Sequence, residues 1–133
     1  MKIVVDTNVV ISGTFFGGAP RRIIEAIAEG KIEAYATKEI IDEYHDITDE
    51  MIDRKLGHLN TKNLNRFELM LNLVTSTTKI DVYRDPDDNK FLECAFDSKA
   101  IYIVSGDKDL LVLKKFNDIE IITASDFCNK YLF

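Results

Sequence analysis

Residues 1–13, MKIVVDTNVVISG, begin the chain with an apolar run that stops abruptly at a carboxylate. The run Ile3-Val4-Val5 is typical of a strand buried on both faces of a parallel sheet, because apolar and polar residues do not alternate. Asp6 follows directly, and aspartate is common in turns and helix caps. A charge so close to a core is costly without hydrogen bonds or a cation. Asp6 is therefore either a turn or cap residue or part of a functional site.

Strand and helix patterns alternate along the rest of the chain. We predict strands at 2–5, 32–37, 79–83, 101–107 and 119–123, helices at 19–30, 38–56, 61–77, 85–100, 107–116 and 124–133, and a glycine-rich loop after the first strand. Strands that are separated by helices imply right-handed crossovers and a mostly parallel sheet with helices on both faces. The predicted fold class is therefore α/β.

Length and composition indicate one globular domain over residues 1–133, since a chain of this size buries a single core. The net charge of −6 disfavours a generic nucleic-acid-binding protein, which is usually basic. We expect no signal peptide, and no apolar stretch reaches the ~20 residues of a membrane span. Cys94 and Cys128 are isolated and lack metal-ligand spacing, so we expect a cytoplasmic protein.

Several acids are predicted to lie at the carboxyl edge of the sheet, where open parallel sheets bind their ligands. Asp107 follows the strand IYIVSG just as Asp6 follows the first strand. Asp88 falls in the first helical turn of DPDDNKFLECA, where Asp85 is the expected cap and Pro86 the expected first helical residue. Helical periodicity also places Asp88 on an apolar face, whose other members are Phe91, Leu92, Ala95 and Phe96. We therefore expect Asp88 to point inward at the same edge.

More acids lie in the helix for which Thr37 is the expected N-cap. Glu43 and Glu39 both border its apolar stripe. Periodicity makes Glu43 only a modestly better candidate than Glu39 for a residue of the site. Asp109 lies two residues after Asp107, at the start of a helix, where acids are also favoured by the helix dipole. Carboxylates that crowd together raise each other's pKa unless a cation lies between them. Mg²⁺ or Mn²⁺ suits such a site and would activate water for phosphodiester hydrolysis.

Two other function classes stay open on these residues. A haloacid-dehalogenase-like phosphatase would use Asp6 as its nucleophile, but it needs a second aspartate two residues later, where this chain has Asn8. A binding module could hold RNA or a protein in the same groove without cleaving it. Zinc chemistry is disfavoured because His45 and His58 lack partner spacing, and no P-loop or dinucleotide-binding glycine motif is present.

Four motifs resemble those of PIN-domain proteins and occur in the same order: VVDTNVVISG, EIIDEYHDI, DPDDNKFLECA and SGDKDLL. The most similar branch contains the toxins of toxin–antitoxin systems, which are related to VapC-type ribonucleases. The resemblance implies a three-layer α/β/α sandwich with a central mostly parallel sheet. It also implies a Mg²⁺- or Mn²⁺-dependent ribonuclease that acts on RNA, an antitoxin protein as a partner, and a homodimer.

The same resemblance implies the roles of individual residues. The acids that it assigns to catalysis and metal binding are Asp6, Glu43, Asp88 and Asp107, with Asp109 at an accessory metal position. It thereby selects Glu43 over Glu39. It also implies that Asn8 and Ser105 support the site.

Positive charge for the RNA backbone is expected from Arg21 and Arg22. Both follow the glycine-rich loop at the predicted start of a helix, where charge and the helix dipole favour phosphate. Lys90 and the pair Lys114-Lys115 are weaker candidates, since an ordinary solvated surface explains them equally well.

Overall fold

A computed structural model describes residues 1–54 and 61–132 of the chain. Its strands are β1 (Lys2–Val5), β2 (Glu33–Ala36), β3 (Asn72–Leu73), β4 (Tyr102–Val104), β5 (Lys115–Phe116) and β6 (Ile119–Ile122). Its helices are α1 (Thr7–Phe15), α2 (Gly18–Ala28), α3 (Lys38–Asp53), α4 (Thr61–Met70), α5 (Asn89–Ser98), α6 (Lys108–Leu111) and α7 (Ala124–Tyr131), and a 3₁₀ turn spans Pro86–Asp88. The predicted helix over 38–56 ends at Asp53 with Arg54 as its C-cap, and residues 55 and 56 lie outside the described part, as does His58.

The strands form one sheet in the order β3-β2-β1-β4-β6-β5. All neighbouring pairs are parallel except β5 and β6, which are antiparallel. The chain runs outward from β1 through β2 to β3, and then returns to add β4 on the other side of β1. The strand order therefore reverses between β1 and β4, and such a switch point is where open α/β sheets bind ligands.

The core confirms that helices cover both faces of this sheet. Ile3, Val4 and Val5 are all fully buried although successive residues of a strand point to opposite faces. Helix α5 packs on β1, β2, β4 and β6, while α1 packs on α2, α3 and α4, and α7 packs on α2. The predicted α/β fold with a three-layer α/β/α arrangement is therefore correct.

Several local predictions are also confirmed. The Thr37 hydroxyl caps α3 by accepting the Ile40 N–H at 3.3 Å. Asp85 caps the 3₁₀ turn, in which Pro86 is the first residue. Gly30 follows the end of α2 with φ of 76°, a conformation that strains other residues. Phe96 is a miss, because its side chain is 45% exposed and lies off the buried face of α5.

The predicted glycine-rich loop after β1 is wrong. Asp6 instead starts helix α1 at once, by capping it, and the helix continues to Phe15. Gly13 lies within this helix and against the next one: a Cβ here would be 2.8 Å from the Pro20 carbonyl oxygen. Glycine at this position therefore serves the close approach of α1 and α2 rather than a turn.

The predicted strand over 79–83 is also wrong. Its backbone N–H groups bond to side chains of α5: Ile80 to Glu93 at 3.0 Å, and Tyr83 to the Asn89 amide oxygen at 2.9 Å. Asp97 of the same helix accepts from residues 76–78 just before. These N–H groups therefore find hydrogen-bond acceptors although the segment does not join the sheet.

Two predicted helices are shorter in the structure. The helix over 61–77 ends at Met70, because Asn72 and Leu73 pair with β2 as an edge strand. The helix over 107–116 ends at Leu111, and Lys114, with φ of 62°, turns the chain into β5. In both cases a strand pairing across the chain replaces the continuation of a local helix.

Candidate active site

Asp6 and Ser105 meet at the switch point, where β1 and β4 end side by side. Val5 and Val104 are paired in the sheet, and the Asp6 N–H donates to the Val104 carbonyl at 3.0 Å. One Asp6 carboxylate oxygen accepts the Val9 N–H at 3.0 Å, and the other accepts the Ser105 hydroxyl. Asp6 is thus both the cap of α1 and a buried carboxylate at the carboxyl edge of the sheet.

Asp107 is connected to the same pair. Its backbone N–H donates to the Ser105 hydroxyl oxygen at 3.0 Å, and its side chain caps α6 by accepting the Asp109 N–H at 2.9 Å. Asp107 is half-buried, whereas Asp109 is exposed and lies 3.7 Å from the guanidinium of Arg84. The hydroxyl of Ser105 therefore links the ends of β1 and β4 to the start of α6.

Glu43 reaches this edge from α3. Tyr44 is fully buried, and its hydroxyl donates to the Val5 carbonyl at 2.5 Å, which holds α3 beside the end of β1. The two Glu43 carboxylate oxygens accept from the Thr7 hydroxyl and, at 2.7 Å, from the Lys90 ammonium. Glu39, one turn earlier, is exposed.

The pKa values indicate that four acids share one electrostatic neighbourhood. Burial raises the pKa of Asp6 to about 6, hydrogen bonds from Ser105 and Val9 oppose the rise, and the charges of Asp107 and Glu43 add to it. The pKa of Asp88, which is half-buried, is also raised to about 6, by burial and then by the charges of neighbouring acids, which are Asp85, Asp107, Asp87 and Glu43. A cation placed among these groups would relieve their mutual repulsion.

The donor chemistry of this cluster fits a hard divalent cation. Asp6, Glu43, Asp88 and Asp107 offer carboxylate oxygens, which Mg²⁺ and Mn²⁺ prefer. Across residues 1–54 and 61–132, however, no three Asp, Glu, His or Cys side chains converge into a ready-made ion cage. Both oxygens of Asp6 and of Glu43 accept hydrogen bonds from protein donors. An ion that keeps several waters and needs only one or two direct carboxylates suits such an arrangement.

The sequence profile of the PIN domain matches residues 2–109, the stretch that contains all of these acids. The chain belongs to the PIN-domain family. The uncharacterized protein MJ1680 of Methanocaldococcus jannaschii is 38% identical over 121 residues, which cover 88% of this chain and 77% of the relative. PIN domains are generally nucleases and typically use divalent metal ions, so the family indicates a hydrolase that acts on nucleic acid. In the described part of this PIN domain, no helix has the length and apolar character of a membrane span.

The two arginines lie away from the hydrogen-bonded acids of this PIN domain, whereas Asn8 is only two residues from Asp6 in the chain. Asn8 is exposed on the first turn of α1. The Arg21 guanidinium lies 3.4 Å from the carbonyl oxygen of Thr14, about 12 Å along α1 from Asp6 at 1.5 Å per residue. Arg22 is exposed on α2 and lines a different cavity, beside α7. Their roles in supporting the site and binding RNA stay predictions.

Two cations missed by sequence reasoning lie closer to the acids. Arg84 and Lys108 line a cavity of about 580 Å³ together with Asp88, Asp109 and the exposed side chain of Val112. The sequence signals were weak, because Lys108 is only one cation between two acids and Arg84 precedes a capping motif. The cavity brings positive charge and apolar surface next to the acidic edge of the sheet.

Proposed function

We propose that this protein is a Mg²⁺- or Mn²⁺-dependent endoribonuclease that hydrolyses RNA phosphodiester bonds. The observation that carries the proposal is that Asp107 and Glu43 lie close enough to both Asp6 and Asp88 for their charges to raise the pKa of each. Acids that served only as helix caps would not need to lie together, partly buried, at the same edge of the sheet.

The acids of the site would have different roles in the reaction. A bound divalent ion would supply an activated water and would stabilise charge on the phosphate oxygens. Asp6 would offer a carboxylate that the Val9 N–H and the Ser105 hydroxyl hold in one orientation. Asp88 and Asp107 would face the same ion from the N-cap positions of α5 and α6. Cation binding would lower the raised pKa values of Asp6 and Asp88, so that both carboxylates stay ionised as the pH falls towards 6.

The phosphate backbone of the substrate needs positive charge in a protein whose net charge is −6. Arg84 and Lys108 are placed to supply it, because they line the cavity that Asp88 and Asp109 also line. Phosphate contacts of this kind position a strand without reading its sequence. The exposed Val112 side chain in the same cavity offers an apolar surface for a base.

Cleavage assays on structured and unstructured RNAs test the proposal, with Mn²⁺, Mg²⁺ or a chelator present. The wild type should cut RNA only with the ion, and Asp6→Asn should be inactive. Asp42→Asn is a matched control, because Asp42 is an exposed acid of α3 that pairs with Lys38 at 3.0 Å, and this variant should cleave normally. Cleavage by Asp6→Asn at the wild-type rate would overturn the assignment.

The two alternative functions give different results in the same preparation. Hydrolysis of p-nitrophenyl phosphate without cleavage of RNA would favour the phosphatase. RNA binding that needs no divalent ion and leads to no cleavage would favour a binding module.

We further propose that the protein acts as the toxin of a cytoplasmic toxin–antitoxin pair and forms a homodimer. The resemblance to the toxin branch supports the first part, and the free buried thiols Cys94 and Cys128 suit a reducing compartment. Exposed Leu69 on α4 and Leu73 on β3 support an interface between copies. Induced expression should arrest growth for the wild type and not for Asp6→Asn, and a monomer in sedimentation velocity would overturn the dimer.

A further inference from the structure

Lys90 occupies a place that ordinarily disfavours a lysine. Its side chain is only 6% exposed, and lysine is almost never fully buried unless it is paired. It also lies in the first turn of α5, where the helix dipole favours negative rather than positive charge. A specific interaction must therefore stabilise the ammonium group at this position.

The partners of Lys90 are acids at the edge of the sheet described above. Its ammonium nitrogen lies 2.7 Å from one Glu43 oxygen and 2.9 Å from one oxygen of Asp87. Asp87 is 65% exposed, so solvent weakens that pair, whereas the Glu43 side chain is largely covered. The Thr7 hydroxyl holds the second Glu43 oxygen, and Thr7 directly follows Asp6. Lys90 thus fixes Glu43 between α5 and the start of α1.

We propose that Lys90 is a positioning residue, a built-in counter-ion that orients Glu43 and lowers the affinity of the acidic site for divalent cations. The inference rests on the proposed function, because it takes these acids as the metal site. Lys90 offsets repulsion among the acids when no ion is present. The same positive charge repels an incoming cation and competes with it for Glu43.

Removal of the ammonium group should therefore change metal binding and cleavage in opposite directions. Without it, the acids attract Mn²⁺ more strongly and Glu43 has an oxygen free to accept a bond from metal-bound water. Glu43 also loses the anchor that sets its orientation, so cleavage at saturating Mn²⁺ should fall. General damage to the fold would instead weaken both properties, and an ordinary surface ion pair would affect neither.

The experiment is calorimetric titration of the chelator-treated, desalted chain with Mn²⁺, together with RNA cleavage at saturating Mn²⁺. For Lys90→Met we expect a Kd for Mn²⁺ about tenfold lower than in the wild type, which corresponds to about 1.4 kcal/mol. We expect cleavage to fall by roughly tenfold or more, in line with the loss of a positioning interaction. Lys90→Arg keeps the charge, so its Kd should stay within about twofold of the wild-type value.

Lys31→Met is the matched control for the loss of one positive charge. Lys31 is exposed, pairs with Glu29, and precedes β2 at the opposite edge of the sheet. Its Kd and cleavage rate should equal those of the wild type. Circular dichroism and thermal melting without metal check that each variant is folded. Lys90→Gln, which retains a hydrogen-bond donor without the charge, replaces Lys90→Met if that variant does not fold, with the same expected gain in affinity.

The outcomes separate the inference from the proposed function. A folded uncharged variant that binds Mn²⁺ with wild-type or weaker affinity would overturn the role of Lys90 and leave the nuclease proposal intact. A wild-type protein that binds no Mn²⁺ would overturn both. Tighter Mn²⁺ binding combined with slower cleavage would support the counter-ion role.

Discussion

Replacement of Asp6 by asparagine is expected to stabilise the metal-free protein at neutral pH while it removes the cleavage activity. The Asp6 carboxylate is buried at the end of β1, and other acids surround it. Asparagine has nearly the same shape and removes the charge. It is also among the best N-cap residues, so the hydrogen bond from the Val9 N–H that starts α1 is retained.

The size of the effect follows from the pKa of Asp6, which rises from 3.8 to about 6 when the chain folds. Between these pH values the folded state binds more protons than the unfolded state, so the free energy of unfolding falls as the pH rises. Each pH unit of difference corresponds to about 1.4 kcal/mol, which gives about 3 kcal/mol as the upper bound at pH 8. We expect the free energy of unfolding of Asp6→Asn to exceed that of the wild type by about 1 to 3 kcal/mol at pH 8 and by little near pH 4.

Urea unfolding in the presence of a chelator, at several pH values between 4 and 8, measures this difference. Asp6→Ala provides the contrast, because it removes both the charge and the cap, and loss of an N-cap costs about 1 kcal/mol. At pH 8 the free energy of unfolding of Asp6→Ala should therefore be about 1 kcal/mol lower than that of Asp6→Asn. Equal stability of Asp6→Asn and the wild type at every pH, or a gain that is largest at low pH, would refute the reasoning.

Four further substitutions test three other parts of the structure. Ser105→Ala removes the hydroxyl that bonds to Asp6, so the free energy of unfolding at pH 8 should fall by about 1 to 3 kcal/mol, measured by urea unfolding. Arg84→Ala and Lys108→Ala should each raise KM for RNA about fivefold, with kcat nearly unchanged, if each contributes about 1 kcal/mol through a phosphate contact. Asp97→Ala removes the acceptor that binds residues 76–78. The free energy of unfolding should therefore fall by about 2 kcal/mol, and proteases should cut this segment sooner.

Each of these predictions has a control and a contrary result. Ser105→Ala should cost less in the Asp6→Asn background, where the charged acceptor is gone, so an equal loss of stability in both backgrounds would contradict the hydrogen-bond explanation. Lys31→Ala removes a distant exposed charge, and a rise in KM as large as that for Arg84→Ala would indicate a general charge effect. Asp42→Asn is the control for Asp97→Ala. Equal protease sensitivity of the two variants would argue that the bonds to Asp97 do not hold residues 76–78 in place.

Local signals were sufficient for the framework of this fold. The apolar run Ile3-Val4-Val5 predicts a strand covered on both faces, because no alternation is present. Thr37 and Asp85 begin their helical segments as predicted, since an N-cap bond spans only two or three residues of the chain. The order of strands and helices then restricts the topology to a mostly parallel sheet. These predictions depend on neighbours in the chain, which the sequence displays directly.

Two of the errors share a different cause. The segment over 79–83 has strand composition, but its N–H groups bond to Glu93 and Asn89 of α5 rather than to a neighbouring strand. The helix pattern after Met70 is interrupted because β2 offers Asn72 and Leu73 a free edge. In both cases the backbone found a partner in another element, and intrinsic propensity is too weak to oppose such a contact.

The candidate site likewise has one part that local sequence predicts and another that depends on tertiary contacts. The sequence by itself determined that acids end the strands and begin the helices at one edge, because parallel strands present their carboxyl ends together. Only the tertiary structure decided which donors hold those acids, since Ser105 lies 99 residues from Asp6 and Lys90 lies 47 residues from Glu43. Charge acts through space, so a lysine that looks like ordinary surface in the sequence becomes the buried counter-ion of Glu43 once α3 and α5 pack together.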